Sequence, residues 1–154
     1  MNIEAILKTK NVLPVHSRTI IHLMLVNNML TEKIAETLKP FDMSLQQFNV
    51  LRILRGQQGK PANLFTIQER MISKMSNTTR LVDKLLKKGY VQRSICETNR
   101  RKVEIFITKL GMESLKKMDS IVAAAEKELL KNFDDQKLQE LDHLLNLFEY
   151  HNHE

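Results

Sequence analysis

Residues 65–108 constrain the 154-residue chain more than any other stretch. Two short helical patterns meet at a polar turn over residues 73–76, and Gly89 ends the second of them. Two strand-like runs, 90–95 and 103–107, then flank a basic loop, Glu97-Thr98-Asn99-Arg100-Arg101-Lys102. Thr66-x-x-Glu69 reads as a capping box that opens the first helix, with Ile67, Met71 and Ile72 turned inward. The second helix is expected over about 76–88, with Leu81, Val82, Leu85 and Leu86 on its core face. Lys87 and Lys88 suit its negative C-terminal end, and Gly89 supplies a left-handed cap. The order helix, turn, helix, strand, basic loop, strand predicts a winged helix-turn-helix, a shape that offers one helix and one loop to DNA.

Charge is distributed in agreement with that shape. From Gln68 to Lys102 there are ten Lys and Arg against three Asp and Glu, a net of +7, whereas the whole chain carries +6. The remainder therefore sums to −1, and the basicity is local, as the footprint of a polyanion should be.

The flanks are helical. Residues 1–14 read as a short arm that stops at Pro14. Over residues 15–39 apolar side chains recur at Ile20, Leu23, Met24, Leu30, Ile34 and Leu38, and Pro40 ends the pattern. Ser44-x-x-Gln47 is a capping box ahead of Phe48, Leu51 and Leu54, and the Gly- and Pro-containing run 56–61 closes that helix. A long helix is expected over about 110–132, striped by Leu115, Met118, Val122, Ala125, Leu129 and Phe133. Asp134-Asp135 restarts a helix on which Leu138, Leu141, Leu145 and Phe148 share a face, widened by Leu144 and Leu147. One winged domain is too small to cover this terminal stripe together with Ile3, Ile6 and Leu7, which points to self-association.

Other classes find little support. The four glycines and the order of polar residues hold no phosphate-binding loop, Ser-His-Asp signature or recognisable catalytic carboxylate pair, so no enzyme is expected. No apolar run approaches the roughly 20 residues of a membrane span, and no secretory signal is visible, which fits a cytoplasmic protein without a membrane partner. A single cysteine, Cys96, suits a reducing compartment. Its neighbours Arg93 and Arg100 would favour a thiolate, so a redox sensor is one alternative, against the plainer reading of a passive residue. The histidines His16, His22, His143, His151 and His153 follow no ligand-spacing motif, and neither metal nor cofactor is expected. Most of the eight methionines fit core filling, though some would suit an adaptable apolar pocket.

Several motifs resemble the MarR family of winged-helix bacterial transcription regulators. They are Thr78-Thr79-Arg80-Leu81-Val82-Asp83-Lys84-Leu85, Gly89-Tyr90-Val91-Gln92-Arg93, Asn99-Arg100-Arg101 and Ile107-Thr108-x-x-Gly111, in the family's order and spacing. The resemblance implies a single domain, with a winged helix-turn-helix at about 42–109 and dimerisation helices at about 1–39 and 110–150. It implies a homodimer on a pseudo-palindromic operator, with the terminal helices as the interface. An effector pocket would lie where that interface meets the winged domain. Asn99 stands where the family often has an Asp that braces a wing Arg, which implies a looser wing.

The candidate DNA contacts are Lys74, Ser76, Asn77, Thr78, Thr79, Arg80, Lys84, Arg100, Arg101 and Lys102. Base edges are read from the start of a recognition helix, where Ser76 to Arg80 lie; helix capping by the Ser and Thr side chains is the plainer role. Arg80, Lys74, Lys84 and Lys87 suit phosphates, which position without specifying. A wing arginine, Arg100 or Arg101, suits a narrow minor groove rather than a merely solvated turn. The candidate dimerisation residues are Leu138, Leu141, Leu145 and Phe148. The functional expectation is a sequence-specific regulator of transcription, a repressor released by a small apolar or phenolic effector. A winged module for RNA or protein is the alternative, although 5% aromatic residues provide no stacking platform for single-stranded RNA.

Overall fold

The structure, a computed structural model, describes residues 2–96 and 99–149. It is mainly helical with one β-hairpin. Helix α1 (Ile3–Ile6) is followed by α2 (Val15–Leu38), a 3-10 turn at Lys39–Phe41, α3 (Leu45–Arg55), α4 (Leu64–Arg70) and α5 (Thr78–Lys87). Strands β1 (Val91–Cys96) and β2 (Asn99–Ile107) then precede α6 (Lys109–Leu129) and α7 (Asp135–Leu145). No helix among the described residues is long and apolar enough to cross a membrane.

Local chemistry sets most of these boundaries. Ser44 and Gln47 form the expected reciprocal cap of α3: the Gln47 amide donates to Ser44 Oγ at 3.2 Å and the Ser44 amide to Gln47 Oε1 at 2.9 Å. Asp134 caps α7 by accepting from the Lys137 amide at 2.9 Å. Its carboxyl is held below the usual aspartate range by the Lys137 ammonium and then by that amide. The opening of α4 differs from expectation. Asn63, not Thr66, is its cap, with Oδ1 accepting from the Thr66 amide at 2.8 Å. An Asn three residues upstream offers the same acceptor, and it starts the helix one turn earlier.

The core forms around α3. Its Phe48, Val50, Leu51 and Leu54 are buried with Leu38 of α2, Ile67 of α4, Met71 at its end, Val82 and Leu85 of α5, Val91 and Ile105 of the hairpin, and Leu115, Met118 and Val122 of α6. Full burial of such side chains is worth about 1.5–3 kcal/mol each. Ile72 is not among them. It is 87% exposed, because α4 ends at Arg70 and the chain turns outward. Leu81 and Leu86 are only half-buried, at the edges of the inward face of α5.

The hairpin is antiparallel, pairing Val91 with Ile107, Arg93 with Ile105 and Ile95 with Val103, and its register shifts between Ile95 and Cys96. Ala62 adds a one-residue third rung. Its amide donates to Ile105 O at 3.0 Å and its carbonyl accepts from the Ile105 amide at 2.8 Å. The wing is thereby tied to the segment ahead of α4.

At the base of the hairpin, Thr108 joins three backbones. Its amide donates to Tyr90 O at 3.0 Å, its hydroxyl donates to Gly89 O at 2.7 Å, and its Oγ1 accepts from the Gly111 amide at 3.0 Å. Gly89 sits at φ +71°, the left-handed conformation expected of it.

The terminal helices are covered far less. Ile3 is fully buried, and Glu4 lies 3.5 Å from Arg18, which pins α1 to α2. Yet Ile20 and Met24 of α2 are half exposed or more, and α7 buries no residue. The α6 stripe is buried at Leu115, Met118, Val122 and Ala125 and half-buried at Leu129, whereas Phe133 lies beyond the helix end and is exposed.

Candidate nucleic-acid interface

Helix α5 has two chemically distinct sides. Thr78, Val82 and Leu85 face the core. Thr79, Arg80, Asp83, Lys84 and Lys87 are exposed. Arg80, Lys84 and Lys87 follow one another at spacings of four and three, so they line one stripe of the outer surface. Asp83 interrupts the positive charge but lies 4.0 Å from Arg93 of β1, an exposed pair that ties helix to wing at little energetic gain.

The turn into α5 is built by side chains that sequence reasoning assigned elsewhere. Asn77 is the N-cap of α5, its Oδ1 accepting from the Arg80 amide at 3.0 Å. That leaves its amide NH2 as the group available to a ligand. Thr78 is buried at 6% exposure, and its hydroxyl is bonded to Gln68 Oε1. It therefore lies between α4 and α5 rather than on the outer stripe. Lys74 folds back, its ammonium on the carbonyl of Glu69 near the negative end of α4. Ser76 is half-buried, with its amide donating to Ser73 O at 3.2 Å. Gln68 is the residue that sequence reasoning missed. Besides Thr78 it bonds the Lys74 carbonyl, so one side chain joins α4, the turn and α5. Its position in the last turn of a polar helix carried no signal of that role.

The stripe borders two concavities. One of about 380 Å³ is lined by Gln46 at the start of α3, Ser73, Met75, Ser76 and Asn77 of the turn, and Arg80, Leu81 and Lys84 of α5. Another of about 330 Å³ is lined by Asp42, Gln47, Lys84, Lys87 and Lys88. Lys88 donates to Asp42 at 2.5 Å and, chiefly through that bond, holds the aspartate carboxyl below its usual range. Asp42 itself adopts φ +50° at the end of the 3-10 turn.

The wing candidates Arg100, Arg101 and Lys102 belong to β2, whose hairpin partner β1 packs against α5. Glu97 and Thr98, which open the expected wing loop in the sequence, lie outside the described residues, as do His151 and His153. Cys96 is the last residue of β1. Among the dimerisation candidates Leu138 is half-buried, while Leu141, Leu145 and Phe148 are exposed, as are Leu144 and Leu147. Between α2 and α6 an apolar cavity of about 390 Å³ is lined by Leu30, Ile34, Leu129 and Leu130 with one carboxylate, Glu126.

The family model described as the MarR family matches residues 43–103, from the start of α3 into the wing. The uncharacterized HTH-type transcriptional regulator YfiV of Bacillus subtilis is 40% identical over 67 residues, which are 44% of this chain and 41% of that protein. The match thus spans about two fifths of that relative's length. The HTH-type transcriptional repressor IacR of Pseudomonas putida is 23% identical over 127 residues, 82% of this chain and 74% of the relative. Among solved structures, a cysteine-to-serine mutant of E. coli MarR complexed with operator DNA is 25% identical. The match covers 86% of this chain and 92% of that one, with a TM-score of 0.73.

Proposed function

Since the chain belongs to the MarR family, we propose that it acts as a homodimeric repressor that binds a pseudo-palindromic duplex operator and leaves it when a small apolar or phenolic effector binds. The observation that carries this reading is the outer stripe of α5. Arg80, Lys84 and Lys87 stand in line, Thr79 is exposed beside them, and a β-hairpin bearing Arg100, Arg101 and Lys102 runs alongside. Such cations fix a helix against phosphates, and the polar groups at the helix start then meet base edges. The exposed leucines of α7 and the exposed apolar residues of α1 and α2 support a two-fold interface. A dimer would hold two recognition helices about 34 Å apart, one turn of DNA. The apolar cavity between α2 and α6 supports an apolar effector, whose binding would alter that spacing. The function is binding rather than catalysis, in the cytoplasm.

Fluorescence anisotropy against random duplex, random single strand and the DNA upstream of its own coding region, at two salt concentrations, tests the reading. Preference for one duplex sequence that persists at the higher salt supports it. Equal affinity for single strand and all duplexes refutes it.

A further inference from the structure

The turn between α4 and α5 leaves a large apolar side chain in water. Met75 is 96% exposed, and Ile72, three residues earlier, is 87% exposed. This turn is no loose tail. The Ser76 amide bonds Ser73 O, Gln68 bonds the Lys74 carbonyl, and the Lys74 ammonium bonds the Glu69 carbonyl. Met75 is thus held out by a braced backbone, at the rim of the 380 Å³ concavity that it shares with Ser76, Asn77, Arg80, Leu81 and Lys84.

The surroundings say what such a side chain would meet. Arg70, Lys74, Arg80 and Lys84 are exposed in the same stretch, against two exposed acids, Glu69 and Asp83, and Asp83 lies 4.0 Å from Arg93. A partner drawn by that charge is a polyanion, and a thioether gains only where the polyanion also offers apolar surface. In a DNA major groove that surface is the C5-methyl of thymine, the one apolar group among the base edges. Resting on the proposed operator binding, we infer that Met75 is a specificity-determining residue that packs on a thymine methyl beside the bases met by the start of α5.

The test removes one methyl group. After an operator has been selected from random duplexes by the parent protein, each thymine is replaced in turn by deoxyuridine. At one thymine of a half-site the parent is expected to lose about fourfold in affinity, the worth of one methyl-sized burial. Met75→Ala should bind the unmodified operator about fourfold more weakly and no longer distinguish thymine from deoxyuridine there. Met75→Leu should keep the distinction. The thermal transition of Met75→Ala should match the parent, since the side chain packs on little of the chain. Deoxyuridine tolerated at every position, or discrimination intact in Met75→Ala, overturns the inference and leaves operator binding standing. Failure of the parent to select any duplex sequence overturns both.

Discussion

Gly111→Ala reverses the usual effect of adding a methyl to a helix. In an unconstrained helix the change stabilises by about 1 kcal/mol, because glycine loses more backbone freedom on folding. Here a Cβ on Gly111 would stand 2.1 Å from Tyr90 O, 2.9 Å from Tyr90 C and 3.1 Å from Ile107 Cγ1. Two of those atoms are backbone, so the first turn of α6 must move off the base of the hairpin. Three hydrogen bonds meet there, from the Thr108 amide to Tyr90 O, from the Thr108 hydroxyl to Gly89 O and from the Gly111 amide to Thr108 Oγ1. Each is worth about 1 kcal/mol net. Their weakening costs roughly 3 kcal/mol, within the range of ordinary overpacking. The propensity gain offsets about 1, leaving a net loss of about 2 kcal/mol. For a chain of this size that is a fall in Tm of roughly 4–8 °C. Urea denaturation and thermal melting followed by circular dichroism read both quantities. A variant as stable as the parent, or more so, would mean that the close approach of α6 to Tyr90 does not exist, and the account of the Thr108-x-x-Gly111 pattern would fail with it.

Arg100→Ala with Arg101→Ala should weaken duplex binding with helicity unchanged, and flatten the log K against log salt slope by roughly 0.9 for each phosphate no longer neutralised; an anisotropy titration that finds affinity and slope unmoved removes the wing from the mechanism. Asn77→Ala should cost about 1 kcal/mol of stability through the missing cap of α5. Lys84→Ala should leave stability alone and lower affinity evenly across sequences; chemical denaturation and binding to several duplexes separate the two, and a neutral Asn77→Ala melt contradicts the cap. Leu141→Glu with Leu145→Glu should give monomers whose operator binding falls far more than their binding to random duplex, because carboxylates buried in an interface are costly. Light scattering at micromolar concentration that finds the double variant still dimeric, or the parent monomeric, places the interface elsewhere or abolishes it.

The fold was legible where local chemistry and periodicity agree. The Ser44 box, the Leu115-Met118-Val122 stripe and the Gly89 cap each state their role in the residue type and spacing, and each adopts it. Legibility failed where two residues could do the same work. Asn63 and Thr66 both precede Ile67, the buried residue of α4, and Asn63 takes the cap where the chain leaves Ala62, pinned to Ile105. That pairing bridges more than forty residues of sequence, which no local pattern records. Ile72 misled for a related reason. Its spacing continues a helical face, but the helix ends at Arg70, so the periodicity has no backbone to act on.

The candidate site divides along the same line. Charge is readable from sequence because it does not depend on neighbours, and Arg80, Lys84 and Lys87 are exposed as their spacing requires. Small polar residues are ambiguous because each has one hydroxyl or amide to commit, and the commitment is made by the fold. Thr78 gives its hydroxyl to Gln68 and Asn77 gives its carbonyl oxygen to the Arg80 amide, while Lys74 is the charged exception, its ammonium drawn onto the Glu69 carbonyl. These bonds hold α4 against α5 and fix the turn. The outward donors that remain, Thr79, Arg80 and the Asn77 amide NH2, then project from a backbone that cannot readily shift. A helix start that only capped would offer no reading groups, and one that only read would offer them from a frayed end. Sharing the polar side chains between the two tasks is what allows a ten-residue helix to present side chains at fixed positions.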